Sequence, residues 1–335
     1  MRLALACLAA LTLLLGSPGA SRAGTLLDAD EVLTSVGFSR ADRDSALSGE
    51  FVTAKLKSTS SRDLAVAVAF LVRQTPEKID AELITRGLLL ARDPNTMSHG
   101  DLTGAGTVAQ LGTLDLGNAE KKLYLSARAG AQTNLSSDEI TALEALKGNA
   151  GEVTAEMRKL LLARYSAYRS KGLGGIAPYA RSGSKTTDAG GDLRRASEAA
   201  RALKIYEPSF YDALLEAHDA DAAGVEHAYR WARYDARNQP TLMLIHAFSM
   251  HDGNAEVAVQ RQYYVSRGYN VEQAIVGIVP VKQGSIVVYT NHTSTDQVAG
   301  LGGSAKRSIG ERLMVTQLER LFSKLRYAAE HEDGQ

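Results

Sequence analysis

Residues 240–290 read PTLMLIHAFSMHDGNAEVAVQRQYYVSRGYNVEQAIVGIVPVKQGSIVVYT, and this stretch decides the fold. Its apolar runs are typical of β-strands, and turn signals separate them at short intervals. Strands joined by such short turns pair antiparallel. The sequence therefore predicts an antiparallel meander with strands near 226–236, 240–250, 257–267, 272–281 and 284–291.

Beyond the meander, the sequence predicts one long amphipathic helix from about Ser304 or Ser308 to Ala328. Ser308 and Glu311 have the spacing of a capping box. An apolar stripe lies along one side of this helix, formed by Met314, Leu318, Leu321 and Leu325. Such a stripe predicts that the helix packs against the sheet.

Before the meander, bulky and small apolar residues alternate from Leu64 to Val72, which predicts a strand closely approached on its small side. Thr75 and Pro76 begin a predicted helix that runs to about Leu90. The remaining elements expected in this part are a strand at 49–57, loops with one strand at 93–118, a strand at 121–128, and helices at 137–146, 153–170, 192–206 and 208–218.

Together these elements predict an α+β fold, in which an antiparallel meander packs against a long C-terminal helix. Residues 24–335 are expected to form a single domain with a helix-rich insert at about 137–218.

The first 23 residues have the pattern of a cleavable secretory signal. A basic start precedes the apolar run from Leu3 to Leu15, and small residues precede the expected cleavage site after Ala23. The run is too short for a membrane span of about 18 residues. The sequence therefore predicts a periplasmic or secreted protein whose mature chain has no transmembrane segment.

Composition narrows the function classes further. The chain carries 38 basic and 38 acidic side chains, so no electrostatic attraction to nucleic acid is expected. The single cysteine, Cys7, lies in the signal segment, which leaves no disulfide or thiol chemistry in the mature protein. The histidines never occur at a metal-ligand spacing, and neither a metal nor a cofactor is predicted.

The order of these elements resembles the helix-grip pattern of the START and Bet v 1-like superfamily, carried by residues 64–84 and 226–327. This resemblance implies an apolar cavity between the sheet and the C-terminal helix. Three short stretches also resemble a family of uncharacterised secreted bacterial proteins, and that similarity implies no activity. They are residues 61–67 (SRDLAVA), 165–169 (YSAYR) and 291–300 (NHTSTDQVAG).

Several polar residues are candidates for ligand contacts. His246 shares a predicted strand face with apolar residues, so it must find a partner or a ligand. The glycine-rich run after Asn291 could let backbone N–H groups and nearby cations hold a carboxylate or phosphate headgroup. The full candidate set is His246, Arg261, Tyr263, Tyr289, His292, Thr295, Asp296, Lys306 and Arg307.

The leading hypothesis is a non-enzymatic protein that binds a lipid or other apolar small molecule between the sheet and the C-terminal helix. One alternative is a secreted hydrolase that uses His292, Ser294 and Asp296. Another is a non-catalytic interaction protein of the cell envelope. The sequence does not predict the oligomeric state.

Overall fold

The computed structural model of the chain describes residues 27–80, 95–130, 132–216, 224–236, 238–252, 255–300 and 302–331. The predicted signal segment, and the predicted helix beyond Asp80, lie outside these residues. None of the helices found in these ranges is long and apolar enough to cross a membrane.

The described residues contain ten strands. They are β1 (Val52–Lys55), β2 (Asp63–Val72), β3 (Thr96–Leu102), β4 (Tyr179–Ala180), β5 (Thr186–Thr187), β6 (Val225–Asp235), β7 (Pro240–Asp252), β8 (Ala255–Val265), β9 (Val271–Val281) and β10 (Gly284–Ser294). Eight of these form one sheet in the order β1-β2-β10-β9-β8-β7-β6-β3, and every neighbouring pair is antiparallel. Strands β4 and β5 form a separate small hairpin.

The α-helices of the described ranges surround this sheet. They are α1 (Ala29–Val36), α2 (Arg40–Ser48), α3 (Pro76–Asp80), α4 (Asn118–Leu125), α5 (Ser137–Glu144), α6 (Val153–Lys171), α7 (Ala189–Glu198), α8 (Arg201–Tyr206), α9 (Pro208–Glu216) and α10 (Gly303–His331). The predicted α+β fold, with its antiparallel meander and long C-terminal helix, is confirmed.

Two local predictions are wrong. Residues 121–128 were expected to form a strand, but most of them belong to helix α4. The Glu120 carboxylate accepts a hydrogen bond from the backbone N–H of Gly117 at 2.8 Å, which satisfies a donor at the start of this helix. The capping box predicted at Ser308 is not at a helix start, because α10 already begins at Gly303.

Helix α10 packs tightly on one side of the sheet, which we call the α10 face. The Phe322 ring lies 5.0 Å from the ring of Phe70 and 5.2 Å from that of Tyr289. Met314 and Leu318 are also buried in this apolar cluster. Protein side chains therefore fill the space in which the sequence analysis expected a ligand cavity.

The opposite side of the sheet, the insert face, is covered by helices of the insert and by α1 and α2. Tyr165 and Tyr168 of α6 are buried in one cluster with Trp231, Leu242 and Leu244 of the sheet. At the other end, the small residues of β2 pack into a cluster with Leu33 of α1 and Ala46 of α2, as the alternation of small and bulky residues predicted.

Replacing Phe322 tests the packing on the α10 face. Phe322→Ala should lower the free energy of unfolding by about 3–5 kcal/mol, because it removes a buried ring and leaves a cavity. Tyr327→Ala is a matched control on the same helix, since that ring is 67% exposed, and it should change the free energy by at most about 0.5 kcal/mol. Denaturant unfolding measures both. Equal losses in the two variants would contradict a packed interface.

Candidate functional site

A cleft of about 960 Å³ lies on the insert face, between the sheet and helices α1, α7 and α8. Strands β8, β9 and β10 form its floor with Val257, Ile275, Gly277, Val279 and Val288. The helices and the segment between α7 and α8 supply mainly apolar walls, among them Val32, Val36, Ala196, Ala199, Ala200, Ala202 and Leu203. Small-molecule sites typically enclose about 300–1,000 Å³ with a mostly apolar lining. The cleft therefore has the size and character of a ligand site.

Gly277 lies in the middle of the cleft floor. It pairs with Val257 on one side and with Val288 on the other. A Cβ atom added at this glycine would meet no other heavy atom within 4 Å. The open space over β9 therefore exists partly because this strand position has no side chain.

His292 lines one end of the cleft and forms a pair with Asp63. Its Nδ1 lies 2.9 Å from Oδ2 of Asp63. The backbone N–H and hydroxyl of Thr59 donate to the same oxygen at 2.7 and 2.9 Å. Because an ionised Asp63 can only accept, His292 donates from Nδ1, and its Nε2 makes no hydrogen bond in the described part of the chain.

His292 is also the last member of a row of polar side chains across five neighbouring strands. Tyr229, His246, Arg261, Gln273 and His292 are successive partners in the register of β6, β7, β8, β9 and β10. Directly paired residues of antiparallel strands lie on the same face of a sheet. We call this set the polar row. It crosses the insert face from the aromatic cluster around α6 to the cleft.

Arg261 is fully buried at the centre of the polar row. Every hydrogen-bond acceptor that it contacts in the described part of the chain is neutral. These acceptors are the Tyr168 hydroxyl at 3.0 Å, the Ser197 hydroxyl at 3.0 Å, the Leu214 carbonyl at 2.8 Å, and the Gln273 amide oxygen at 2.8 and 3.1 Å. A buried cation without a carboxylate is costly. The presence of this costly buried guanidinium makes the polar row a candidate functional feature.

A chain of hydrogen bonds leads from Arg261 to His227. Arg261 donates to the Tyr168 hydroxyl, which lies 3.0 Å from Nδ1 of His246. Nε2 of His246 lies 2.9 Å from Nδ1 of His227. The arrangement that gives the Tyr168 O–H an acceptor has it donating to Nδ1 of His246, with Nε2 of His246 donating to His227. Both histidines are neutral in this arrangement.

Burial explains why the two histidines stay neutral. It lowers the pKa of His246 well below the ordinary value, and the nearby positive charges of Arg261 and Arg169 act in the same direction. Burial also lowers the pKa of His227, again with Arg169.

Comparisons of the chain with family models, curated proteins and solved structures found no match. The similarity to the START and Bet v 1-like helix-grip pattern therefore stays a prediction, as does the similarity to a family of secreted bacterial proteins. Function has to be inferred from the cleft and the polar row.

Three residues of the predicted ligand set come together around Tyr168, outside the cleft lining. His246 and Arg261 both contact the Tyr168 hydroxyl. The ring of Tyr263 stacks on that of Tyr168, with 3.9 Å between ring centroids. His246 lies in the apolar strand row that the sequence predicted, and it is hydrogen-bonded at both ring nitrogens.

Of the nine candidates, only His292 is among the residues that line the cleft. Tyr289 is on the α10 face against Phe322. The Thr295 hydroxyl accepts a hydrogen bond from the backbone N–H of Gln297, so it caps a short 3₁₀ turn. Lys306 is exposed on α10, and Arg307 donates to the Ser61 carbonyl at 2.9 Å.

His292, Ser294 and Asp296 do not assemble into a catalytic triad. The Ser294 hydroxyl donates to Asp192, whose carboxylate is also held by Arg62 and Arg195. Asp296 accepts a hydrogen bond from Nε of Arg181 at 2.7 Å. The acid beside His292 is Asp63, because the pairing of β10 with β2 brings the two residues together.

The structure also identifies residues that the sequence analysis did not select. Asp63, Tyr168, Gln273 and Gly277 were missed, because each acts through a partner that is distant in sequence. The sequence did draw attention to two of them, because the stretches 61–67 and 165–169, which resemble a family of secreted bacterial proteins, contain Asp63 and Tyr168. Across the described ranges, no three His, Cys, Asp or Glu side chains are grouped so that they could hold a metal ion.

The neutral state of His246 predicts how stability depends on pH. As pH falls below about 6.5, His246 binds a proton in the unfolded chain but stays neutral in the folded protein. The free energy of unfolding therefore decreases. His246→Gln should flatten this decrease by up to about 1.4 kcal/mol per pH unit. His99→Gln, at an exposed histidine, is the control and should leave the slope unchanged. Unfolding titrations from neutral to mildly acidic pH measure the slopes, and identical slopes in both variants would disprove the prediction.

Proposed function

We propose that this protein binds an amphipathic small molecule, such as a lipid, in the cleft between the sheet and helices α1, α7 and α8. The apolar part of the ligand would lie on the floor of β8, β9 and β10, and its polar end would lie at His292. The observation that carries this proposal is a cleft of about 960 Å³ whose floor is apolar and partly uncovered.

The energetics of burial support this proposal. Ile275 and Gly277 are only half-buried, although they lie at the centre of a sheet. Covering apolar surface stabilises a complex by about 25 cal/mol per Å². Contiguous exposed apolar surface on a soluble protein commonly marks a binding site. An apolar chain or ring system seated in the cleft would remove this surface from water.

The cleft and the cavity expected from the sequence lie on opposite faces of the sheet. The α10 face is packed with protein side chains, whereas the cleft is on the insert face. If export occurs as the signal segment predicts, the protein would meet its ligand in the periplasm or outside the cell.

Hydrolysis is less well supported than binding. The His292 and Asp63 pair is part of many general-base systems. In the described residues, however, the hydrogen bond of His292 goes to Asp63, and no serine, threonine or cysteine side chain hydrogen-bonds to it. The nearby Ser294 hydroxyl donates its hydrogen bond to the Asp192 carboxylate instead. A nucleophile activated by His292 is therefore not part of the proposal.

A variant that fills the cleft tests the proposed function. Gly277→Leu places a side chain over the floor without a clash at its Cβ, and leucine is no worse than glycine in a strand. The variant should keep its stability. Its affinity for Nile red, an uncharged apolar dye, should fall by at least about tenfold, because a loss of about 1.4 kcal/mol in binding free energy lowers the affinity tenfold. Fluorescence titration measures the affinity.

Gly174→Leu is the matched control, since Gly174 is exposed and its added Cβ would also meet nothing within 4 Å. This variant should bind Nile red as the wild type does. Absence of dye binding to the wild type, or equal affinity in the folded Gly277→Leu variant, would exclude the cleft as the binding site.

A further inference from the structure

The hydrogen bonds of Asp63 determine what His292 offers to a ligand. Oδ2 of Asp63 accepts from the backbone N–H and the hydroxyl of Thr59, and it lies 2.9 Å from Nδ1 of His292. Because the ionised carboxylate has no proton to give, the proton between Asp63 and His292 belongs to Nδ1. In the neutral ring, Nε2 then has a lone pair and can only accept a hydrogen bond.

Nε2 of His292 has no partner in the described part of the chain, but it is accessible. It is not one of the unpartnered side-chain atoms that are fully buried in these residues. The residue itself borders the cleft. An acceptor that loses its water to an apolar ligand is left unpaired at a cost, unless the ligand brings a donor. The acceptor at the wall of the cleft therefore favours a ligand whose polar end carries a hydrogen-bond donor.

Thr290 adds a second neutral polar group at this end of the cleft. It lies two residues before His292 on β10, so the two side chains share the insert face, about 7 Å apart along the strand. Both residues line the cleft, and the Thr290 hydroxyl makes no hydrogen bond in the described residues. The polar groups that β10 presents to the cleft are therefore uncharged.

The charges near His292 disfavour an ionised headgroup of either sign. A carboxylate would face the lone pair of Nε2, with the negative charge of Asp63 on the other side of the ring. An ammonium group would meet Lys57 and Arg195, which both line the cleft. A hydroxyl group supplies a donor and has no charge, so it fits both conditions.

We infer that the ligand of the cleft is an uncharged apolar alcohol, whose O–H donates to Nε2 of His292. This inference rests on the proposed function and adds the chemistry of the headgroup. Asp63 is a positioning residue, because its hydrogen bond holds the ring of His292 and keeps the proton on Nδ1. The apolar part of the alcohol would lie over Ile275 and Gly277 on the floor.

A pair of isomeric ligands gives the first test. Dodecanol and methyl undecyl ether contain the same atoms, but only dodecanol has an O–H to donate. In competition with Nile red, dodecanol should bind at least about fivefold more tightly than the ether, because the ether leaves Nε2 without a partner. Dodecanoate and dodecylammonium should also bind more weakly than dodecanol. Equal affinity for the two isomers, or tighter binding of either ion, would overturn the inference, although dye binding would still support the cleft.

His292→Phe gives the second test, since it keeps a ring at this position and removes the acceptor. The variant should bind dodecanol and methyl undecyl ether equally and should bind Nile red as the wild type does. Thr290→Val is the matched control, because it removes a polar group from the same strand face and leaves Nε2 in place. This control should keep the preference for dodecanol. A folded His292→Phe variant that also keeps the preference would contradict the inference.

The ring nitrogens of His292 give a third test that needs no variant. Nitrogen-15 NMR of the wild type in mildly alkaline buffer should show Nδ1 protonated and Nε2 unprotonated. Dodecanol should shift the Nε2 resonance in the direction of a nitrogen that accepts a hydrogen bond, and methyl undecyl ether should not. A proton on Nε2 of the free protein would refute the inference. Loss of Nile red binding in the wild type would instead remove the proposed function itself.

Discussion

The register of the antiparallel strands β6 to β10 is the constraint on which the rest of the structure depends. It places one residue of each strand in the polar row and places Gly277 in the middle of the cleft floor. A slip of β9 by one residue would turn Gln273 to the α10 face and bring Glu272 or Ala274 to the insert face. The hydrogen bonds from Arg261 to the Gln273 amide oxygen would then be lost.

Arg261 links this register to the helices that cover the sheet. It donates to Tyr168 of α6, to Ser197 of α7 and to the Leu214 carbonyl of α9. A buried guanidinium needs these acceptors, since an unpaired N–H in the interior is costly. The helices that satisfy Arg261 are therefore held at fixed positions over the sheet. One of them, α7, is also a wall of the cleft, so the buried cation helps to define the space for a ligand.

The two faces of the sheet differ in how completely side chains fill them. On the α10 face, aromatic rings from the helix and the sheet meet within 5.0–5.2 Å. Over β9 on the insert face, the floor has a glycine, and four alanines lie on the facing walls. Small side chains on both sides leave a gap, because the backbone elements are already fixed by contacts elsewhere. The cleft is therefore a consequence of residue size at a few positions.

The sequence by itself determined the α+β class, the meander and the C-terminal helix, because strand alternation, turn residues and helical periodicity are local patterns. It also identified His246 as a polar residue in a buried row. It misassigned residues 121–128, where a short apolar run fits either type of element. Only the tertiary structure decided that Asp63 rather than Asp296 pairs with His292, and that the open space lies opposite α10. Both outcomes depend on strand pairing and side-chain size between segments distant in sequence, and no local pattern encodes such contacts.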